Sequence, residues 1–337
     1  MSLNELSPIE IFEALNAPHE IEGKGEHFIA MPIPSRLGVF IAKDAKRNPA
    51  LLLSVSDKEN LRPLPITLEH IVADHGVECK IQEPDETTHQ GVFSIIRCVN
   101  AERMLKEYFL RVLMPIIQEM NTKLTYQDIS CAVKTLMELF RLINTPGRKT
   151  IQGLWAELYL ILKASNPDFL AQAWHSTAGD RYDFNAGSER IEVKSTTRSL
   201  RIHSFSFEQL NPPDKTKVLI ASMCVEEAGI GMSVFDIVDE IRAKLGNNIR
   251  LAGRIDEVVA STLGNAWRQA GDVKFDLEVA ESSLRFFDSM AVPAIRGNLP
   301  EGVSNLRFKA DLSHTESIEL RGLEGKGELF RALREDA

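Results

Sequence analysis

The period of the apolar residues changes along the chain, and these changes constrain the fold more than any other feature of the sequence. Residues 28–99 read as short strands separated by Pro, Gly, Asn and Asp, whereas residues 101–162 place apolar side chains at helical spacing. Residues 233–265 return to the helical period, and residues 272–320 mix strands with loops. Between the helical stretches, strands are predicted at 171–176, 181–184, 190–196, 201–205 and 217–226. The chain is therefore predicted to be an α+β or α/β protein.

The same pattern predicts how the chain divides. At about 150 residues per domain, a chain of this length forms two or three units. We expect a β-rich N-terminal domain at 1–100, a helical connector at 101–149, a core at 150–230 and an α/β extension at 231–337. The extension is expected to complete the core or to contact partners.

Composition restricts the class of protein. With 44% hydrophobic and 26% charged residues, the chain is typical of a globular protein, and a net charge of −9 argues against a protein that coats nucleic acid. The four cysteines lie far apart without a CxxC pair, which excludes a zinc ribbon and a disulfide framework. The N-terminal segment lacks a signal-peptide pattern, and no apolar run approaches the roughly 18 residues of a membrane span. We expect a soluble cytoplasmic protein with no membrane partner.

One group of polar residues is a candidate site. Glu192 and Lys194 lie two positions apart in a predicted strand, so their side chains project from the same face. Asp183 lies in the preceding strand, and the connection at 185–188 has the residue types of a tight turn. Two carboxylates and a lysine are thus predicted to converge at one strand edge, which is an oxygen-rich environment that suits Mg²⁺.

A helical glutamate adds to this group. Thr150 is a plausible cap for the helix that ends at Ala164, and Glu157 lies at the margin of its apolar stripe, one turn after Gly153. A carboxylate beside a buried stripe needs a partner such as a cation. By contrast, the eight histidines show no HxH or other short ligand spacing, so the sequence does not single one out.

The pattern alone leaves two interpretations open. An Asp or Glu two residues before a Lys occurs six times in the chain, so this tripeptide carries no information by itself. An ordinary amphipathic hairpin with a cross-strand salt bridge explains residues 181–196 about equally well. Local charge favours a functional site, because residues 141–220 carry 11 Lys and Arg against 8 Asp and Glu, as expected where a protein meets a phosphate backbone.

The order of the motifs resembles the PD-(D/E)XK nuclease superfamily. Gly-Leu-x-x-Glu-Leu on a helix is followed by Trp174, Arg-x-Asp-Phe, Ile-Glu-Val-Lys-Ser-Thr, Arg-x-His-x-Phe-Ser and Glu-Gln-Leu, all within about residues 150–210. In particular, the chain is similar to the bacterial PD-(D/E)XK motif proteins that accompany restriction and phage-defence genes. One departure is Tyr182, which stands before the first acid where the family pattern has proline.

The resemblance implies a restriction-endonuclease-like core, with a mixed four-stranded sheet flanked by helices. It implies hydrolysis of DNA phosphodiester bonds with Mg²⁺, for which Mn²⁺ can substitute. Carried over to this sequence, Asp183 and Glu192 are the metal-binding acids, and Lys194 is the catalytic lysine. Glu157 is the helix acid, and the backbone carbonyl of Val193 is a further candidate ligand.

The residues after the catalytic strand are the expected DNA contacts. These are Arg198, Arg201, His203 and Gln209, although a strand end and a helix cap explain His203 and Gln209 almost as well. Helicase or ATPase subunits, methyltransferase subunits and a second copy of the chain are candidate partners. The competing hypothesis is a noncatalytic DNA-binding or assembly subunit that keeps the nuclease fold.

Overall fold

Helices and sheets both occur in the computed structural model, which confirms the predicted mixed α+β character. The structure describes residues 8–18, 25–33, 36–55, 62–144, 150–175, 179–246, 248–320 and 327–333. The chain separates into two units, Met1–Asn144 and Thr145–Ala337. Within the described residues, none of the helices combines the length and the apolar character needed to cross a membrane.

The first unit is built on a sheet that closes on itself. Its strands are β1 (Glu26–Pro32), β2 (Val39–Asp44), β3 (Pro49–Leu53), β4 (Ile66–Thr67), β5 (Ile71–Gln82) and β6 (Thr88–Cys98). The strand order is β1-β2-β3-β6-β5-β4, and β1 also pairs in parallel with β5. This extra pairing closes the sheet around apolar side chains that include Phe28, Leu52 and Ile95. β3 is buried at every position.

Helices cover part of this sheet. They are α1 (Pro8–Ala14), α2 (Arg103–Glu119) and α3 (Tyr126–Leu142). α3 begins at a capping box in which the Thr125 hydroxyl accepts from the backbone of Asp128 and the Asp128 carboxylate accepts in return from Thr125. α2 contacts β3 and α3 contacts β5. Residues 101–144 of the segment expected to connect two domains thus belong to the first unit.

The second unit contains a mixed four-stranded sheet. The strands of the whole unit are β7 (Phe184–Ala186), β8 (Glu189–Thr196), β9 (Ile202–Ser206), β10 (Lys217–Cys224), β11 (Glu227–Ser233), β12 (Lys274–Phe275), β13 (Arg285–Asp288) and β14 (Arg307–Asp311). The main sheet has the order β13-β10-β8-β7, in which β8 and β10 are parallel and the outer pairs are antiparallel. β9 pairs with β14 and β11 with β12 in two-stranded ribbons.

Helices pack around this sheet. They are α4 (Ile151–Lys163), α5 (Pro167–Ala173), α6 (Phe207–Leu210), α7 (Val234–Leu245), α8 (Ile249–Leu263), α9 (Trp267–Ala270), α10 (Leu277–Ser283) and α11 (Glu328–Arg331). The Thr150 hydroxyl accepts from the backbone of Gly153 and caps α4, as predicted. α4 contacts β8, α7 and α8, so every residue from Leu154 to Leu162 is buried. Glu157, expected at the margin of the apolar stripe, is thus buried inside the unit.

α11 is fixed to the beginning of β8. The backbone N–H groups of Gly327 and Phe330 donate to the buried carboxylate of Glu189 at 2.6 and 3.0 Å. A Cβ atom on residue 327 would lie 2.8 Å from the carboxyl carbon of Glu189, so a larger residue there would displace this carboxylate from its present position.

Two predicted strands take a different form. Residues 171–173 belong to α5, because Asn166 caps this helix and Pro167 occupies its first turn. Trp174 makes an isolated bridge to Phe184, and Ser176 lies outside the described residues. Asp183, expected in the middle of a strand, instead directly precedes β7. Residues 277–283 form α10 where strands and loops were predicted, because the Asp276 side chain caps a helix there.

Candidate metal centre

The β7–β8 hairpin aligns the candidate residues. Phe184 pairs with Ile191 and Ala186 with Glu189, which leaves a two-residue turn in which Gly187 has a φ of +50°. This is the tight turn that the sequence predicts. One step further along the same antiparallel register, Asp183 lies opposite Glu192.

The segment Trp174–His175 pairs with the other side of the chain at Asp183 and Phe184. Trp174 pairs with Phe184, and the backbone N–H of His175 donates to the Asp183 carbonyl at 2.8 Å. His175, Asp183 and Glu192 therefore follow one another across three adjacent segments. The Asp183 carboxylate accepts from the backbone N–H of Val193 at 2.7 Å, which fixes its position on the β8 side.

The side chains of Glu157, His175 and Asp183 come from separate segments and lie close together. Glu157 comes from α4 and His175 from the segment after α5, and one ligand atom from each of the three residues lies within 4.8 Å of the other two. The Glu157 Oε2 atom accepts from the Trp174 indole at 2.9 Å and lies 2.9 Å from His175 Nε2. Both carboxylates are buried, whereas the imidazole is 21% exposed. The histidine is thus the side of the group that solvent reaches.

The backbone that carries His175 is held by one arginine. The Arg254 guanidinium, on α8, donates to the carbonyls of Ala171 (2.8 Å), Gln172 (2.9 Å), Trp174 and His175 (3.1 Å). These are carbonyls at and just beyond the C-terminal end of α5, where helical partners are missing. Burial lowers the pKa of this guanidinium. His175 has a φ of +41°, a left-handed conformation that is uncommon for residues other than glycine.

Glu192 and Lys194 form a pair beside this group. As strand alternation predicts, they share a face, and Lys194 Nζ lies 2.6 Å from Glu192 Oε1. The ammonium also lies 5.1 Å from the centre of the Phe205 ring. Glu192 is outside the group that Glu157, His175 and Asp183 form. The reason is spacing: His175 and Glu192 lie on opposite sides of Asp183, two strand spacings of about 5 Å apart.

The four expected DNA contacts have different surroundings. Arg198 is exposed in the turn after β8. The Arg201 guanidinium donates to the Ser222 carbonyl (2.8 Å) and hydroxyl (2.9 Å) and to the Ser283 carbonyl, and burial lowers its pKa. His203 is buried with Nε2 2.8 Å from the same Ser222 hydroxyl. Burial is the main reason why the pKa of His203 falls to about 4, and the nearby cationic side chains add to it.

Gln209 forms a helix cap. Its backbone N–H donates to the Ser206 hydroxyl at 3.3 Å, and its side-chain oxygen accepts from the Ser206 backbone at 3.0 Å. Its amide nitrogen donates to the Arg181 carbonyl at 3.2 Å. The alternative explanation of Gln209 as a cap is therefore correct, and a DNA contact at Gln209 stays a prediction, as it does at Arg198, Arg201 and His203.

Sequence reasoning missed His175. Histidine spacing alone carries no signal there, because its neighbours in the group lie 18 residues before it and eight residues after it. The useful signal is the Trp174–His175 pair itself. It stands between the helical acid and the first strand acid, and both rings carry nitrogen atoms that need a partner when buried.

A buried pair of carboxylates and an imidazole, beside a Glu–Lys pair at a mixed sheet, offers ligand types that divalent metal ions bind. Residues 9–313 match the family described as "Putative PD-(D/E)XK family member, (DUF4420)". The chain belongs to this family, which confirms the resemblance read from its motifs. Neither the curated proteins nor the solved structures give a match.

Proposed function

We propose that this protein is a divalent-metal-dependent nuclease that hydrolyses phosphodiester bonds in DNA. The observation that carries the proposal is the convergence of Glu157, His175 and Asp183 beside the Glu192–Lys194 pair. Family membership directs the inference, because the PD-(D/E)XK superfamily consists mainly of nucleases. A restriction-endonuclease-like core, with the mixed sheet of the second unit at its centre, is part of this proposal.

The residues fit a divalent cation. Two buried carboxylates within a few ångströms repel each other unless a cation or a proton lies between them. Carboxylate oxygens and a neutral imidazole are common ligands of divalent ions. When bound, the ion supplies positive charge that stabilises the negative charge building up on the phosphate in the transition state.

Asp183 and Glu157 hold the cation in this scheme, and the Val193 N–H keeps the Asp183 carboxylate oriented. The Lys194 ammonium has three N–H donors, of which one goes to Glu192. We assign the others to the attacking water and to a nonbridging phosphate oxygen. Glu192 then acts by holding the ammonium in place, in addition to its expected role as a metal ligand.

The reaction balances with water as the only co-reactant. The water oxygen forms a bond to phosphorus, the bond from phosphorus to the leaving 3′ oxygen breaks, and the water proton reaches that oxygen through solvent. Lys194 stabilises the added negative charge of the pentavalent arrangement. A role in phage defence beside helicase, ATPase or methyltransferase subunits, and a cytoplasmic location, belong to the same proposal.

The test is cleavage of supercoiled plasmid with Mg²⁺ or with Mn²⁺. We expect the wild type to cut, Lys194→Ala and Asp183→Asn to lose cleavage, and Lys217→Ala, which removes an exposed lysine of the same sheet, to cut normally. If the wild type binds DNA and Mn²⁺ but cuts with neither metal, the noncatalytic DNA-binding alternative is correct and the nuclease proposal is wrong.

A further inference from the structure

Beyond the carboxylates that the motifs indicate, we propose that His175 is a ligand of the bound cation and that it makes the site prefer Mn²⁺ over Mg²⁺. The inference deepens the proposed function, since it concerns the same site and rests on its metal dependence. It adds a residue that the motifs do not contain and changes the expected metal.

Geometry is the first support. Two ligands of one ion, each at about 2.2 Å, lie at most about 4.4 Å apart. The ligand atoms of Glu157, His175 and Asp183 all lie within 4.8 Å of one another, so small side-chain movements bring all three onto one ion. A neutral imidazole with its hydrogen on Nδ1 presents Nε2, which is the atom that faces Glu157.

The second support is the way the imidazole is positioned. The Trp174 indole already donates to the Glu157 oxygen that faces His175 Nε2, so this oxygen has a hydrogen-bond donor besides the imidazole. His175 occupies a left-handed backbone conformation, and Arg254 binds the carbonyls before and at this residue. Conformations of this kind persist where surrounding contacts enforce them, and they cluster at ligand sites.

Ligand chemistry then predicts the metal. Mg²⁺ binds oxygen ligands in a strict octahedron and keeps several waters, whereas imidazole suits first-row transition ions. Mn²⁺ accepts both carboxylate and imidazole. A site with two carboxylates and one imidazole therefore binds Mn²⁺ more tightly than Mg²⁺. Co²⁺ and Zn²⁺, which follow Mn²⁺ in the order of increasing affinity for such ligands, are expected to compete with it.

The experiment is electron spin echo spectroscopy of the Mn²⁺-loaded full chain, together with Mn²⁺ and Mg²⁺ titrations by calorimetry. We expect nitrogen modulation from a coordinated imidazole in the wild type and in His314→Gln, a control at an exposed histidine of the same unit. In His175→Gln the modulation disappears. Even outer-shell residues of metal sites are worth about 10- to 100-fold in affinity, so we expect at least about a tenfold loss for Mn²⁺ and a smaller loss for Mg²⁺.

A second variant keeps the test decisive if His175→Gln folds poorly. His175→Asp supplies an oxygen ligand, so it should bind Mg²⁺ at least as well as the wild type while the nitrogen modulation is lost. Mn²⁺ binding without nitrogen modulation in the wild type, or an unchanged Mn²⁺ to Mg²⁺ affinity ratio in both variants, overturns the role of His175. Plasmid cleavage decides the nuclease proposal separately, because a nuclease with oxygen ligands alone would still cut.

Discussion

Arg254→Met should destabilise the second unit and weaken its metal site. The guanidinium donates to four backbone carbonyls between Ala171 and His175. A hydrogen bond from a charged donor contributes about 1.5 kcal/mol or more, so four sum to roughly 6 kcal/mol. The side chain is partly exposed, and water can replace some of these bonds. We therefore expect a loss of about 2–4 kcal/mol, or roughly 5–15 °C in Tm for a unit of this size.

Tryptophan fluorescence measures this loss in the correct part of the chain. Trp155, Trp174 and Trp267 are the three tryptophans of the protein, and all lie in the second unit. Urea unfolding followed by fluorescence therefore reports the unit that contains Arg254. Arg250→Met is the matched control, because Arg250 is an exposed residue one turn earlier on the same helix. This control should change the free energy of unfolding by less than about 0.5 kcal/mol.

A second measurement separates positioning from general stability. Arg254→Lys keeps the positive charge but cannot bridge four carbonyls, so His175 should lose its fixed orientation. We expect Mn²⁺ affinity to fall at least about tenfold at a temperature where this variant is fully folded. Equal midpoints for Arg254→Met and Arg250→Met, or unchanged Mn²⁺ affinity in folded Arg254→Lys, would show that Arg254 does not hold His175 in place.

Three further predictions concern pH, metal and DNA. Burial lowers the pKa of His203 from 6.5 to about 4, so as the pH falls the unfolded chain binds the proton before the folded chain does. The contribution of His203 to the free energy of unfolding is therefore full above about pH 6.5 and falls by up to about 3 kcal/mol as the pH drops to 4. Unfolding of the wild type and of His203→Gln at several pH values checks this, and an equal slope in both would exclude His203 as its source. Mn²⁺ at about 100 times its Kd should raise the unfolding free energy by about 2.7 kcal/mol, and a Tm unchanged at millimolar Mn²⁺ would count against the site. Arg198→Ala should weaken DNA binding and reduce its salt slope by about one, whereas Lys194→Ala should leave affinity within a few-fold; fluorescence anisotropy at several salt concentrations distinguishes them.

Local features of the second unit could be predicted from the sequence. The turn at residues 187–188 follows from a glycine that permits positive φ, and the beginning of α4 follows from the hydroxyl of Thr150. The common face of Glu192 and Lys194 follows from strand alternation. Each of these depends on residues within a few positions of one another.

Features that depend on distant segments could not be predicted. Glu157 is buried because the segment at Trp174–His175 and Asp183 surround its carboxylate, and no periodicity within α4 encodes these distant contacts. His175 reaches Asp183 only through the Trp174–Phe184 bridge. Arg201 and His203 share Ser222, about twenty residues away on β10, so their intramolecular contacts are invisible in the segment that contains them.

The bond between Glu189 and α11 has a consequence for the timing of synthesis. β8 carries Glu192 and Lys194, but the backbone groups that satisfy its first carboxylate belong to residues 327 and 330, more than 130 residues later. On the ribosome, the strand cannot bury Glu189 with these donors until that late segment has emerged. We therefore expect β8, with Glu192 and Lys194 on it, to reach its final packing only after α11 has been synthesised and has docked.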